Sequence, residues 1–254
     1  MQQQTRLAHL VSSRTLLASL AISASALLLS ACSTPLATSV ADYQAAINSP
    51  VRTADDRKGD DKRKPAEFLA FAKVRPGMNV LDLQTGGGAT TTLLAAAVGP
   101  TGQVFAQGHK SSPKLDARLA AAPMPNVHPY VASFDNPVPA NAPQLDLVTI
   151  NMNYHDLVNE PVDRAAMNKR IYDALKPGGY YLVIDNAAKA GSGLSDTKTL
   201  HRIDEEAVIA EVTRAGFKLD ARSDYLRAPS DTRELPFFKM EGKPDDKFAL
   251  RFVH

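Results

Sequence analysis

The 254-residue sequence predicts a doubly wound α/β domain with seven strands, mostly parallel, closed by an antiparallel final strand. Three observations predict it. Short apolar runs alternate with helical stretches between residues 79 and 184, a rhythm that demands crossover connections and a sheet covered on both faces. The glycine triplet Gly86-Gly87-Gly88 sits between the first apolar run and an Ala/Leu-rich helical stretch. Finally, the last two strand candidates leave no room for a crossover helix between them, so they pair antiparallel.

The elements follow in order. Arg6 and Arg14 precede an uncharged apolar segment, Leu16 to Leu29, which is too short and too rich in Ser and Ala to span a bilayer and reads as a secretory signal peptide. It ends in Leu29-Ser30-Ala31-Cys32, which resembles the lipobox of bacterial lipoproteins. That resemblance implies cleavage after residue 31 and a lipid on Cys32, the single cysteine. Ser33, where an aspartate would retain the protein at the inner membrane, implies sorting to the outer membrane, facing the periplasm. Residues 32–64 then read as a tether with a charged segment, and residues 65–254 as the main domain.

Removing residues 1–31 takes away two arginines and no acid, leaving 27 Lys+Arg against 27 Asp+Glu. A formally neutral chain lacks the basic excess of a phosphate footprint, which argues against a nucleic-acid partner. With no cysteine beyond Cys32, stability must come from core packing rather than disulfides.

The run from Asp55 to Lys64 reads as a solvated loop or helix face, with a lid offering Arg57 or Arg63 to an anion as the functional alternative. Pro65 opens a helix through Phe71-Ala72, and Arg75-Pro76-Gly77-Met78 is turn chemistry. Strands are expected at Asn79–Leu83, Gln103–Ala106, Val127–Val131, Leu145–Ile150 and Tyr180–Ile184. Helices are expected at Thr91–Val98, Pro113–Ala122 and Val162–Leu175. Acids at Asp204-Glu205-Glu206 favour a helix start, Gly216 stops that helix, and Phe217–Leu226 and Lys247–Val253 supply the final strand pair.

Three motifs carry a family resemblance. Val80-Leu81-Asp82-Leu83 followed by Gly86-Gly87-Gly88, the strand segment Asp146-Leu147-Val148, and the turn Leu175-Lys176-Pro177-Gly178-Gly179-Tyr180 resemble the class I S-adenosylmethionine-dependent methyltransferases, whose sheet is Rossmann-like. Within them, Asn153-Tyr154-His155-Asp156-Leu157 and Leu200-His201-Arg202-Ile203-Asp204 are similar to segments of an uncharacterised bacterial group of predicted methyltransferases. The resemblance implies S-adenosyl-L-methionine as cofactor and a small-molecule acceptor. It places Asp82 at the cofactor's amino group, Gly86 and Gly88 beneath its methionine part and Asp135 at the adenine amine, with Gly87 also assigned to cofactor binding. Two departures stand out: Gln84 occupies the first glycine position of the motif, and Gln107 stands for the acid that grips the ribose.

Asn153, Tyr154, His155 and Asp156 follow the fourth strand at the carboxyl edge of the sheet, where open α/β domains bind ligands. Asn153 is assigned to cofactor binding, and Tyr154, His155, Asp156 and His201 to catalysis. His155 serves as the candidate base, its ring oriented by Asp156 or Asp185, with hydrogen bonding to loop backbone as the bland alternative. Gly191-Ser192-Gly193 reads as a mobile loop, and His201 with Arg202 as part of a substrate lid. The spacing carries no metal signature, so no metal is expected, although His155, His201, Asp156 and Asp185 are ligand types that suit several divalent ions. Two other readings compete: an exported lipoprotein of this fold that binds a nucleoside-like or anionic ligand without methyl transfer, and a hydrolase or lyase built on the His155/His201 edge.

Overall fold

The computed structural model describes residues 43–254; Cys32 and the expected signal segment lie outside the described residues. The chain runs α1 (Gln44–Ile47), α2 (Ala54–Lys58), α3 (Asp60–Arg63), α4 (Pro65–Phe71), β1 (Asn79–Leu83), α5 (Ala89–Val98), β2 (Gln103–Gly108), α6 (Pro113–Ala121) and β3 (Val127–Val131). It continues through β4 (Leu145–Asn151), α7 (Tyr154–Leu157), α8 (Arg164–Ala174), β5 (Leu175–Asn186), α9 (Glu205–Arg214), β6 (Lys218–Ser223) and β7 (Lys247–Val253), with a 3-10 turn at Phe237–Lys239. The seven strands form one sheet in the order β3-β2-β1-β4-β5-β7-β6. β1 to β5 pair in parallel, and β7 runs antiparallel to both β5 and β6, as expected.

Side chains one apart on a strand point to opposite faces, and the sheet uses both. Leu81, Leu83, Val148, Ile150, Val183 and Phe252 pack on one face with Met167 and Ile171 of α8 and Val208 and Val212 of α9. Val80, Val104, Leu147, Leu182 and Ile184 pack on the other with Phe68 and Leu69 of α4 and Leu93, Leu94 and Val98 of α5. Among the described residues no helix is long and apolar enough to cross a membrane.

Most element bounds fall within two residues of expectation, and three regions differ by more. The Lys-Pro-Gly-Gly turn is absorbed into β5, where the ladder to β4 shifts register between Leu145 and Leu147 and Gly178 takes φ +77°. β6 ends at Ser223 rather than Leu226. A further difference is that parts of residues 43–60 pack on the domain, while Asp55, Arg57, Lys58, Asp61, Lys62, Arg63 and Lys64 stay exposed on or beside short helices, as the charge run suggested. Tyr43 and Ala46 join the core around α4 and α5. Thr53 caps α2 in a reciprocal box with Asp56. Arg52 is buried, donating to Asp60 and to the Ile47 carbonyl, and Asp56 is buried against Arg118 of α6. Lys58 pairs with Asp55 at the exposed surface, whereas Asp56 and Asp60 take their partners, Arg118 and Arg52, from outside the charge run.

Candidate functional site

The glycine turn after β1 is held from outside by α6. Gly86 and Gly88 have φ of +54° and +80°, a region glycine enters without steric cost. Ser112, the N-cap of α6, donates to the Gly86 carbonyl at 2.6 Å, and Arg118 Nε donates to the Gly87 carbonyl at 3.0 Å. Since Arg118 also pairs with buried Asp56, α2, α6 and the turn form one unit. The three glycines differ in what they face. A Cβ on Gly88 would strike Leu115 at 2.5 Å and one on Gly87 would strike Lys114 at 2.8 Å, whereas one on Gly86 would meet only the Gln84 carbonyl at 4.0 Å. Gly86 therefore opens onto a cavity that Gly87 also lines, whereas the lack of a side chain at Gly87 and Gly88 makes room for Lys114 and Leu115 of α6.

That cavity, about 300 Å³, is walled by Asp82, Gly86, Asn151, Asn153 and Ile184 along the sheet edge. Asp82 is buried, and desolvation pushes its carboxyl up to about 7 even though Thr91 donates to Oδ2 at 2.6 Å. The Thr91 bond leaves the other oxygen for a ligand donor. Lys62 and Arg63 from α3 line the same space. Arg57, the other expected anion binder, is instead spent on the carbonyls of Arg52 and Ser49. Tyr225 and Lys247 also line the cavity, and among the described residues the buried Tyr225 hydroxyl has no hydrogen-bond partner. Sequence reasoning missed this tyrosine, because nothing local marks a residue following β6 as a neighbour of the β1 turn.

A second cavity, about 720 Å³, adjoins it, with Gln84 and Asn153 bordering both. Its walls include His109, Phe134, Asp135, Asp156, Leu157 and His201. Asp135, expected near an adenine, lines this space and accepts from the Asp163 backbone at 2.6 Å. Asn153 donates to the Asn151 carbonyl at 2.7 Å.

Gln107 requires correction. Expected at a ribose, it is fully buried and takes no part in either cavity wall. Its Oε1 accepts from the Gln84 backbone at 3.1 Å and its Nε2 donates to the Ala132 carbonyl at 2.7 Å. The amide thus ties the Gln84 backbone, at φ +54° and so unusual for a residue with a side chain, to the Ala132 carbonyl. The next residue, Gly108, has no side chain to offer, so the carboxyl end of β2 presents no acid.

The β4/β5 edge brings together residues distant in sequence. Asp185 at the end of β5 is fully buried; its Oδ2 accepts from the His155 backbone at 2.8 Å and its Oδ1 meets His155 Nδ1 at 2.7 Å. His155 Nε2 lies 3.1 Å from Asp156 Oδ1, and His201 Nδ1 lies 3.5 Å from that same oxygen. Burial opposes a charged His155 ring, but the hydrogen bonds and charges of Asp156 and Asp185 outweigh it and hold the ring up at about 10. In turn, the His155 hydrogen bond keeps Asp156 below the usual carboxylate range. With Nδ1 committed to Asp185 and Nε2 beside Asp156, the geometry fits a positioning role for His155 better than the expected role of base, with Asp185 orienting the ring as expected.

Tyr154 is also misassigned. It is fully buried away from both cavities, donating to Glu211 at 2.9 Å, accepting from Asn168 at 2.9 Å, and contributing to the core. Gly191 and Gly193 are tied down rather than mobile, both backbone N–H groups donating to Asp204 Oδ2, whose Oδ1 also caps α9. Arg202 is fully buried and clamps Asp231 with the carbonyls of Ala187 and Leu235, fixing the segment that carries His201.

The strand order and the glycine turn define the fold of the class I S-adenosylmethionine-dependent methyltransferases, and solved structures establish the likeness. A SAM-dependent methyltransferase from Aquifex aeolicus superimposes with a TM-score of 0.56 at 19% identity, covering 79% of this chain and 98% of that one. The glycopeptide N-methyltransferase MtfA complexed with S-adenosyl-L-methionine superimposes at 0.54 with 17% identity, over 74% and 86% of the two chains. In sequence, the ubiquinone/menaquinone biosynthesis C-methyltransferase UbiE of Burkholderia multivorans is 30% identical over 117 residues, 46% of each chain. The chain thus spans about half the length of the curated relatives it matches. No family model matches it.

Proposed function

We propose that this domain is an S-adenosyl-L-methionine-dependent methyltransferase acting on a small-molecule acceptor. The observation that carries the reading is the open face of Gly86 beside buried Asp82, a cradle that any Cβ at residue 86 would narrow. The donor set suits the cofactor: a carboxylate with a free oxygen for an ammonium group, the Tyr225 hydroxyl, partnerless among the described residues, and the cations Lys62 and Arg63 for a carboxylate. The adjoining cavity, with Phe134 and Asp135 on its wall, suits a flat heterocycle. When bound, the cofactor supplies an electrophilic methyl group on a sulfonium.

The chain's own residues position and exclude. Asp82 and the Gly86 turn seat one partner; Gln107 holds Gln84 between the two cavities; Asn153 borders both and is aligned by its bond to Asn151. His155 acts as a positioning residue, fixing Asp156 at the wall of the larger cavity. The test is release of S-adenosylhomocysteine from methyl-labelled cofactor with a panel of small acceptors, where Gly86→Val should abolish turnover. Turnover that persists in Gly86→Val would contradict the assignment.

We further propose that the mature protein is held in the cell envelope by a lipid on Cys32, on the strength of the Leu-Ser-Ala-Cys segment after the apolar run. Palmitate labelling of the wild type that disappears in Cys32→Ser is the expected result. Labelling that survives the substitution would refute the anchor.

A further inference from the structure

We infer that His155 Nε2, Asp156 Oδ1 and His201 Nδ1 form a binding site for one divalent first-row metal ion on the wall of the larger cavity. The three ligand atoms lie within 4.8 Å of one another, with the carboxylate oxygen 3.1 Å from one imidazole nitrogen and 3.5 Å from the other. Two ligands each about 2.1 Å from a metal, at tetrahedral or octahedral angles, are separated by roughly 3.0–3.4 Å, which both carboxylate–imidazole distances approach.

The surroundings strengthen the case. A metal-ligating histidine characteristically gives its other ring nitrogen to a carboxylate, which fixes the tautomer and raises the ligand's basicity. His155 does this with Asp185, which is fully buried and also accepts the His155 backbone N–H, so the ring is locked from behind. His201 has φ +52°, an uncommon conformation for a residue with a side chain. Its neighbour Arg202 is buried and held by three partners, and Asn186 donates to the His201 carbonyl at 3.1 Å. The backbone is thus constrained into the conformation that sets the His201 ring beside Asp156. Phe237 and Phe238 stand edge-on to that ring, giving the site an apolar outer wall.

Two imidazoles and one carboxylate suit Zn(II), Co(II), Fe(II) or Mn(II) better than the oxygen-seeking Ca(II) or Mg(II). Three protein ligands leave coordination positions open, and because Asp156 and His201 line the cavity those positions face it. The ion takes the place of the proton that His155 otherwise shares with Asp156. Oxygen-bearing small molecules entering the cavity then have a fixed cation to bind.

The site can be tested independently of the methyltransferase reading, because metal binding is measured with no nucleoside present. Full-length protein stripped with a chelator and titrated with Co(II) and Zn(II) should bind one equivalent, with Co(II) showing the visible absorption of mixed nitrogen and oxygen ligation. Asp156→Asn and His201→Ala change partly exposed side chains, so both variants should keep the wild-type melting curve and lose at least tenfold in affinity. Absence of stoichiometric binding by the wild type would overturn the inference, as would unchanged affinity in both folded variants. A variant that fails to fold is replaced by His201→Gln, for which the same loss is expected and unchanged affinity is again contradictory.

Discussion

The two halves of the cleft are built on opposite plans. At the β1 end, ligand space comes from what is missing among the described residues: no side chain on Gly86, no partner on the Tyr225 hydroxyl, and one unclaimed oxygen on Asp82. At the β4/β5 end, the polar atoms are already engaged, with Asp185, His155, Asp156 and His201 forming a relay. The first half therefore waits for a ligand to complete it. The second is a preassembled charged structure that a ligand must approach or modify. The difference teaches that a single sheet edge can provide both a seat and an anchored wall, each from residues supplied by a different part of the chain.

The sharpest way to break this comparison is to fill the open side. Gly86→Val places a branched side chain at φ +54° and into the cradle, and should weaken cofactor binding by more than about a hundredfold, read by calorimetry. His201→Ala, on the preassembled side, should leave that affinity within about threefold if the halves are separate seats. Equal losses in the two variants would merge them.

Next in size is the support behind the glycine turn. Arg118→Ala strands buried Asp56 and should cost about 3–5 kcal/mol, seen as a fall in Tm of roughly 10 °C. Although burial raises the Asp56 carboxyl, the Arg118 and Thr53 interactions outweigh it and hold it at about 2, below its unfolded value. Its contribution to stability is therefore fully present above about pH 4 and is lost as pH falls toward 2. A wild-type protein that keeps its full Tm at pH 2.5 would contradict this.

Asp82 gives a smaller effect of opposite sign. Burial raises its carboxyl to about 7, so the folded state holds a proton that the unfolded chain releases near pH 4, and the stability it contributes declines between about pH 4 and 7. A cationic ligand needs the ionised form, so affinity should rise about tenfold per pH unit up to about pH 7 and then level off. Asp82→Asn should flatten the profile. A slope that survives in the variant would move the titrating group elsewhere. The smallest effect is expected for Tyr154→Phe, which removes a hydroxyl between Glu211 and Asn168 and should cost about 1–2 kcal/mol of stability while leaving ligand affinity unchanged.

The fold and the β1 half were legible because their signals are local. Strand, glycine turn and helix follow one another within twenty residues, and the short apolar run of Val80, Leu81 and Leu83 is read directly. The same locality misled at Tyr154 and Gln107. Both sit beside functional segments, but their burial and partners are set by Glu211, Asn168 and Ala132, which only the folded chain brings near. The charged segment at residues 55–64 is mostly exposed, as its composition suggested, but the burial of Asp56 was not legible because its partner, Arg118, lies some sixty residues away. His155 and His201 were both singled out from their motifs. That they meet through one oxygen of Asp156, with Asp185 locked behind, depends on how Arg202 anchors its segment, and no spacing rule carries that information.

Isothermal titration of the full-length chain with S-adenosylmethionine and S-adenosylhomocysteine tests the central claim most directly. One molecule of either ligand should bind per chain with micromolar affinity, and binding should be lost in Gly86→Val. No heat of binding at millimolar ligand, from protein whose melting curve shows it folded, would contradict the account.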